Sequence, residues 1–208
     1  MQKGGGMKNV VLRVLVCFVA AVAMASNAFA YTITFDDLEA PGSLTDFIHT
    51  YNSGPYQLDS ADSAFFVAQQ SSNFYQGSAA LWTYVSGSSA RLQKSDSTTF
   101  SLESIDLIRH YDVTGQISYL AEVTFKAYDS GNNLLGSQTF GSIGTAWQTV
   151  TFGDVFNNVA LVTWSQEWPY HDFDNIVLGS PTPIPGAIWL LGTGLAGLVG
   201  LKRRKRVS

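Results

Sequence analysis

The sequence predicts an all-β protein: an antiparallel two-sheet β-sandwich between an N-terminal signal helix and a short C-terminal transmembrane helix. Three observations predict the sandwich. Between residues 31 and 178 no apolar stripe recurs at helical spacing over a useful length. The same stretch alternates apolar and polar residues in short runs rich in β-branched and aromatic side chains, the period-two pattern of half-buried strands. Clusters of Gly, Ser, Asn and Asp separate the runs, where turns need residues that tolerate unusual backbone angles.

Taken in order, residues 1–30 read as a secretory signal. Lys8 and Arg13 precede an apolar run from Val14 to Ala25, and Ala28-Phe29-Ala30 forms a small-x-small cleavage site before Tyr31. The run of about a dozen residues is short of the roughly 20 that a spanning helix needs, which favours cleavage over anchoring. A lipoprotein reading through Cys17 is weaker, because Val16 stands where a small residue is wanted. Met1 or Met7 is the start, since Gly4, Gly5 and Gly6 add nothing to a signal.

Residues 31–179 form the predicted domain, with strands expected over 31–35, 64–69, 80–85, 101–110, 117–128, 134–140, 147–152, 159–164 and 173–178. The clearest is 117–128, where Ile117, Tyr119, Ala121, Val123, Phe125 and Ala127 share one face and Ser118, Glu122, Thr124 and Lys126 the other. Asp129-Ser-Gly-Asn-Asn133 then turns the chain into 134–140, a predicted hairpin. About eight to ten short strands with no intervening helix make a sandwich the best architecture.

Composition limits the partners. Of 12 Lys and Arg, only Arg91, Lys94, Arg109 and Lys126 lie between residues 31 and 180, against all 16 Asp and Glu, a formal charge of −12 for that stretch. A phosphate backbone would be repelled, so nucleic acid is not an expected partner; cations and neutral polymers are. The only cysteine, Cys17, leaves with the signal, so the domain must be held by its core rather than by disulfides. A domain of this size buries about 68 to 70% of its unfolded surface, enough for that.

The C-terminus carries three parts in sequence. Residues 180–185 hold Pro181, Pro183 and Pro185 and cannot be helical; 186–201 are a Gly-rich apolar run long enough for a short transmembrane helix; 202–208 begin with Lys202-Arg-Arg-Lys-Arg206, a basic stop on the cytoplasmic side. With Pro183, Pro185, Trp189, Gly192, Gly194, Leu195, Gly197, Gly200, Arg203 and Arg204 in this order, the tail resembles the PEP-CTERM sorting signals of Gram-negative bacteria. Two departures are Thr182 where that variant has Val, and Pro-Ile-Pro in place of Pro-Glu-Pro. The resemblance implies recognition by an exosortase, membrane anchoring before processing, and release to the cell surface or the extracellular matrix of an exopolysaccharide producer.

The middle of the chain resembles the jelly-roll domains that precede such tails and the wider galactose-binding-like superfold. The likeness rests on Phe35-Asp-Asp, on Phe100-Ser-Leu-Glu-Ser-Ile-Asp-Leu107, on Val123-Thr-Phe-Lys-Ala-Tyr128 and on Phe173-Asp-Asn-Ile-Val-Leu178. It implies a structural calcium between the chain ends. If the first and last strands are neighbours, Asp36 or Asp37 approaches Asp174, and such hard oxygen ligands suit Ca²⁺; hydrogen bonding of Asp174 and Asn175 at a strand edge is the plainer alternative.

A second constellation lies just before the last strand: Trp164, Trp168, Tyr170 and His171 around Glu167 and Asp172. Flat rings beside carboxylates suit a sugar, whose apolar faces stack while its hydroxyls find acceptors, although large aromatics of a sandwich also build its core. Catalysis finds no support: His49, His110 and His171 lack metal-ligand spacing, and neither G-x-S-x-G nor a P-loop occurs. The expectation is a non-catalytic, surface-sorted protein of the exopolysaccharide or biofilm matrix. The alternative is a calcium-stabilised carbohydrate-binding module for extracellular polysaccharide, and a glycoside-active enzyme ranks third.

Overall fold

Strand parity decides which side chains this fold buries. The computed structural model describes residues 30–41, 47–71, 75, 77–83, 85–110, 121–165 and 170–179. These lie within one compact unit, Phe29–Pro181. In chain order the strands are β1 (Tyr31–Ile33), β2 (Phe47–Ile48), β3 (Thr50–Ser53), β4 (Tyr56–Ser60), β5 (Phe65–Val67), β6 (Leu81–Trp82), β7 (Ser89–Lys94), β8 (Ser101–Arg109), β9 (Ala121–Tyr128), β10 (Leu134–Ile143), β11 (Gln148–Thr151), β12 (Leu161–Ser165) and β13 (His171–Gly179). Single 3-10 turns follow β1 and β11, at Asp36–Leu38 and Asp154–Phe156.

The strands form two antiparallel sheets, a β-sandwich as the sequence predicts. One runs β11-β8-β13-β6-β5-β2, with β1 added beside β13; the other runs β10-β9-β12-β7-β4-β3. First and last strands are neighbours: Tyr31, Thr32 and Ile33 stand opposite Leu178, Val177 and Ile176. The predicted hairpin of β9 and β10 forms around Asp129, whose Oδ1 accepts the backbone N–H groups of Gly131 and Asn133 at 2.9 and 2.8 Å.

One face of each strand fills the space between the sheets. On β9, Val123, Phe125 and Ala127 point inward, as their alternation requires, and on β12 Val162 and Trp164 do the same. The rings pack edge to face: Phe173 meets Trp164 at 5.1 Å and 87°, Phe65 at 5.9 Å and 82°, and Phe35 at 6.0 Å and 78°. Among the described residues this continuous cluster runs from Ile33 to Leu178, a core held with no disulfide.

Four strands exceed the sequence expectation. The β3–β4 hairpin reads as loop because Asn52, Ser53, Gly54, Pro55, Gln57 and Asp59 crowd it. It closes on Gly54, at φ +55, where a two-residue hairpin turn needs a positive φ and a Cβ would lie 2.7 Å from the Tyr31 hydroxyl. The central strand β7 shows only Ala90 and Leu92 to the core, and β2 has two residues. The signal residues 1–29 and all of 180–208, including the predicted span 186–201, lie outside the described residues. Among those described, no helix is long and apolar enough to cross a membrane.

Candidate functional site

The outer face of the seven-stranded sheet carries the candidate site, and strand register places its members. Phe173 faces the core, so Asp172 and Asp174 face outward, with Ile108 and Asp106 opposite them on β8. Leu81 lies opposite Phe173, which puts Trp82 on the outer face; Phe66 stands opposite Trp82, and Phe47 opposite Phe66. A row of rings therefore crosses the sheet from its β2 edge. Centroids are 4.2 Å apart from Phe47 to Phe66, 4.8 Å from Phe66 to Trp82 and 3.9 Å from Trp82 to His110, with Tyr170 6.1 Å from Trp82. Both faces of Trp82 are covered, by rings inclined 27° and 30° to it, and only 3% of the residue is exposed. Phe66 is half-buried, and Phe47, on the edge strand, is 64% exposed. The open ring is the one at the rim.

The inner end of the row is pinned by a buried pair. His110 Nδ1 lies 2.6 Å from Asp172 Oδ1, and the His110 backbone N–H donates to the backbone carbonyl of Tyr170 at 2.8 Å. Burial pushes the Asp172 carboxyl upward, against the opposing pull of its bond to His110. Its second oxygen, Oδ2, is buried with no hydrogen-bond partner. Next in the chain, His171 shares the inward face of Phe173; burial first and the neighbouring His110 second push its imidazole down to about 3, so it is neutral.

Beside the rings lies an acidic patch. Asp174 Oδ2 accepts from the Ser78 hydroxyl at 2.7 Å and its Oδ1 from the N–H of Asn175 at 2.7 Å. Asn175, at φ +48, sits where β13 bulges against β8, and its amide donates to Asp106 Oδ2 at 3.0 Å. Asp106 Oδ1 also accepts from Thr149 at 2.5 Å. Burial raises the Asp174 carboxyl; its two hydrogen bonds oppose this, and the charges of Asp36 and Asp106 add to it.

Of the residues expected to hold calcium, the structure brings two into one neighbourhood. Asp36 and Asp174 share one electrostatic neighbourhood, as the adjacency of β1 and β13 requires. Asp37 does not join them: its Oδ1 accepts from the Tyr51 hydroxyl at 2.7 Å, and burial, with that bond, pushes the phenol upward. Among the described residues no three acidic or histidine side chains gather as a metal-ligand set. The plainer alternative, hydrogen bonding of Asp174 and Asn175 at a bulged strand, is realised.

The expected sugar platform needs a larger correction. Trp164 is 1% exposed at the centre of the core and His171 is fully buried, because both occupy inward positions of their strands. Neither presents a surface to a ligand. Tyr170 is half-buried beside Trp82, and Trp168 and Glu167 lie outside the described residues. Sequence reasoning missed Phe47, Phe66 and the outward role of Trp82. The Phe65-Phe66 doublet was the available signal: in a strand, adjacent rings must face opposite sides, so one of them had to leave the core.

No family model matches this chain, and no curated protein matches it. Among solved structures, a DUF4465 family protein from Bacteroides caccae is similar over 72% of this chain and 98% of its own, at 13% identity and a TM-score of 0.50. That likeness is one of fold. A family 29 carbohydrate-binding module, in a mutant form, aligns over 74% of this chain and 93% of its own at 12% identity and a TM-score of 0.39. The C-terminal family 22 carbohydrate-binding module of a Clostridium thermocellum protein aligns over 76% and 96%, at 12% identity and the same TM-score. At these scores the likeness decides nothing about what this chain binds.

Proposed function

We propose that this is an exported, non-catalytic protein of the cell surface or extracellular matrix that binds polysaccharide with the outer face of its seven-stranded sheet. The observation that carries the reading is the cross-strand row Phe47-Phe66-Trp82, buried at its inner end and open at its rim, on the same outer face as the part-exposed carboxylate of Asp106. A sugar offers an apolar ring face and a rim of hydroxyls. An exposed, braced phenyl ring suits the first, and hydrogen-bond acceptors on the same face suit the second. The charge of −12 in residues 31–180 favours a neutral polymer over an acidic one.

The test is a glycan array together with the producer's own exopolysaccharide, probed with residues 29–181, the unit that holds this core. Specific binding is expected, and Phe47→Ala with Phe66→Ala should weaken it by about tenfold or more, the scale of one lost stacked ring. Unchanged binding by the double variant removes the row from the account. Calcium belongs to the reading as a stabiliser at the edge of Asp36 and Asp174, where a cation would relieve the mutual repulsion of the carboxylates. With calcium in excess the unit should melt higher than with chelator. Equal melting points eliminate the ion.

Delivery to the surface rests on the two ends. The signal 1–30 exports the chain, and the tail, with Pro183, Pro185, Trp189, Gly192, Gly194, Arg203 and Arg204, holds it in the inner membrane until an exosortase acts. In a producer without its exosortase the protein should stay in the membrane fraction at the mass of the uncut form. Normal release from that strain contradicts the sorting role.

A further inference from the structure

We infer that the β10 edge of the six-stranded sheet is a self-association surface, at which two copies pair antiparallel about a twofold axis through Gln138. Among the described residues β10 is the longest strand, ten residues, and it has β9 on one side and no strand on the other. Long edges are normally guarded by charge, proline or bulges. This one has a bulge near each end but neither charge nor proline: from Ser130 to Gly153 the chain runs 24 residues without Asp, Glu, Lys, Arg or Pro, inside a domain of charge −12. Copies of so acidic a domain repel one another across most of their surface, and an uncharged edge is where they can approach. Glu122 and Lys126 sit one strand back on β9, with the Glu122 carboxylate reaching toward Gly141 at the end of β10.

The occupant is a second copy because the segment is complementary to itself. Register shifts mark bulges near Leu135 and near Ser142, and between them Gly136 to Phe140 pair regularly with β9. Reversed about Gln138, Ser137 faces the partner's Thr139, a hydroxyl pair like the one that Thr124 and Thr139 already make at 2.8 Å within one chain. Two side chains at the end of the strand give a second argument. Leu134 and Leu135 are 58% and 45% exposed, and the reversed strand brings the partner's Gly141 and Ser142 to that end. Such an isologous contact continues the six-stranded sheet into a twelve-stranded one across two copies.

Sedimentation of residues 29–181 over a concentration series tests this, with two double variants at exposed positions: Ser137→Lys with Thr139→Lys, and Ser137→Glu with Thr139→Glu. The wild type should dimerise with rising concentration. Each variant, melting as the wild type does, should need about tenfold or more protein to dimerise, since like charges then stand directly opposite. Mixed in equal amounts, the two should recover a heterodimer, and Asn52→Lys on the opposite edge strand β3 should leave dimerisation unchanged. A wild type that stays monomeric across the series, or single variants that dimerise as well as it does, overturns the inference. So does a mixture that fails to pair.

Discussion

Trp164→Ala should destabilise the sandwich by about 3 to 5 kcal/mol, the usual cost of truncating a large buried aromatic. Trp164 sits on β12 between β7 and β9, at the middle of its sheet, and contacts Phe125 at 5.3 Å and Phe173 at 5.1 Å. Alanine would leave a cavity under both sheets that neither can close, because each is fixed by its own ladder. The indole also brings a liability: its N–H is buried without a hydrogen-bond partner. Trp164→Phe removes that donor while filling part of the space, so it should cost far less than alanine. Denaturant melts of the three proteins check the order, and the phenylalanine variant should keep whatever glycan binding the wild type has. An alanine variant as stable as the wild type would contradict the placement of Trp164 in the core.

Acid should weaken the fold through His171. Its imidazole is pushed down to about 3 in the folded state against an ordinary value near 6.5, so between those limits the unfolded chain binds a proton that the folded chain refuses. This contribution to stability is complete above pH 6.5 and is lost as pH falls toward 3. Asp172 works the other way: its raised carboxyl makes the folded state hold a proton more tightly, and stability from that group falls as pH rises above 3.8. A comparison of variants separates the two. His171→Gln should unfold less steeply with acid than the wild type, with the difference growing from pH 6.5 downward. Parallel pH profiles would mean that His171 is protonated without loss of structure.

Legibility of the sequence followed side-chain size and strand length. β9 was readable because Val123, Phe125 and Ala127 alternate with polar residues over eight positions, and β8 and β13 because they are nine residues long. The pairing of first and last strands, a condition and not a reading of the sequence, explains why Asp36 stands near Asp174. β3 and β4 were hidden by turn-forming residues, since their inward set is only Tyr51, Tyr56 and Leu58. The site was less readable than the fold for a physical reason. An aromatic ring in a strand buries equally well on either side of a sheet, and which side is core depends on pairing across β5, β6 and β13, separated by up to about a hundred residues. Trp164 and Trp82 look alike in sequence; register turns one inward and the other outward.

The outer aromatic face is the central claim, and amide chemical-shift mapping tests it most directly. Residues 29–181 would be titrated with oligosaccharides cut from the producer's exopolysaccharide. Shifts should concentrate on β2 and β5, at Phe47 and Phe66, and extend to Asp106, with β10 and the inward Trp164 indole unmoved. Shifts confined to the six-stranded sheet, or none under conditions where the intact polymer binds, would contradict the claim.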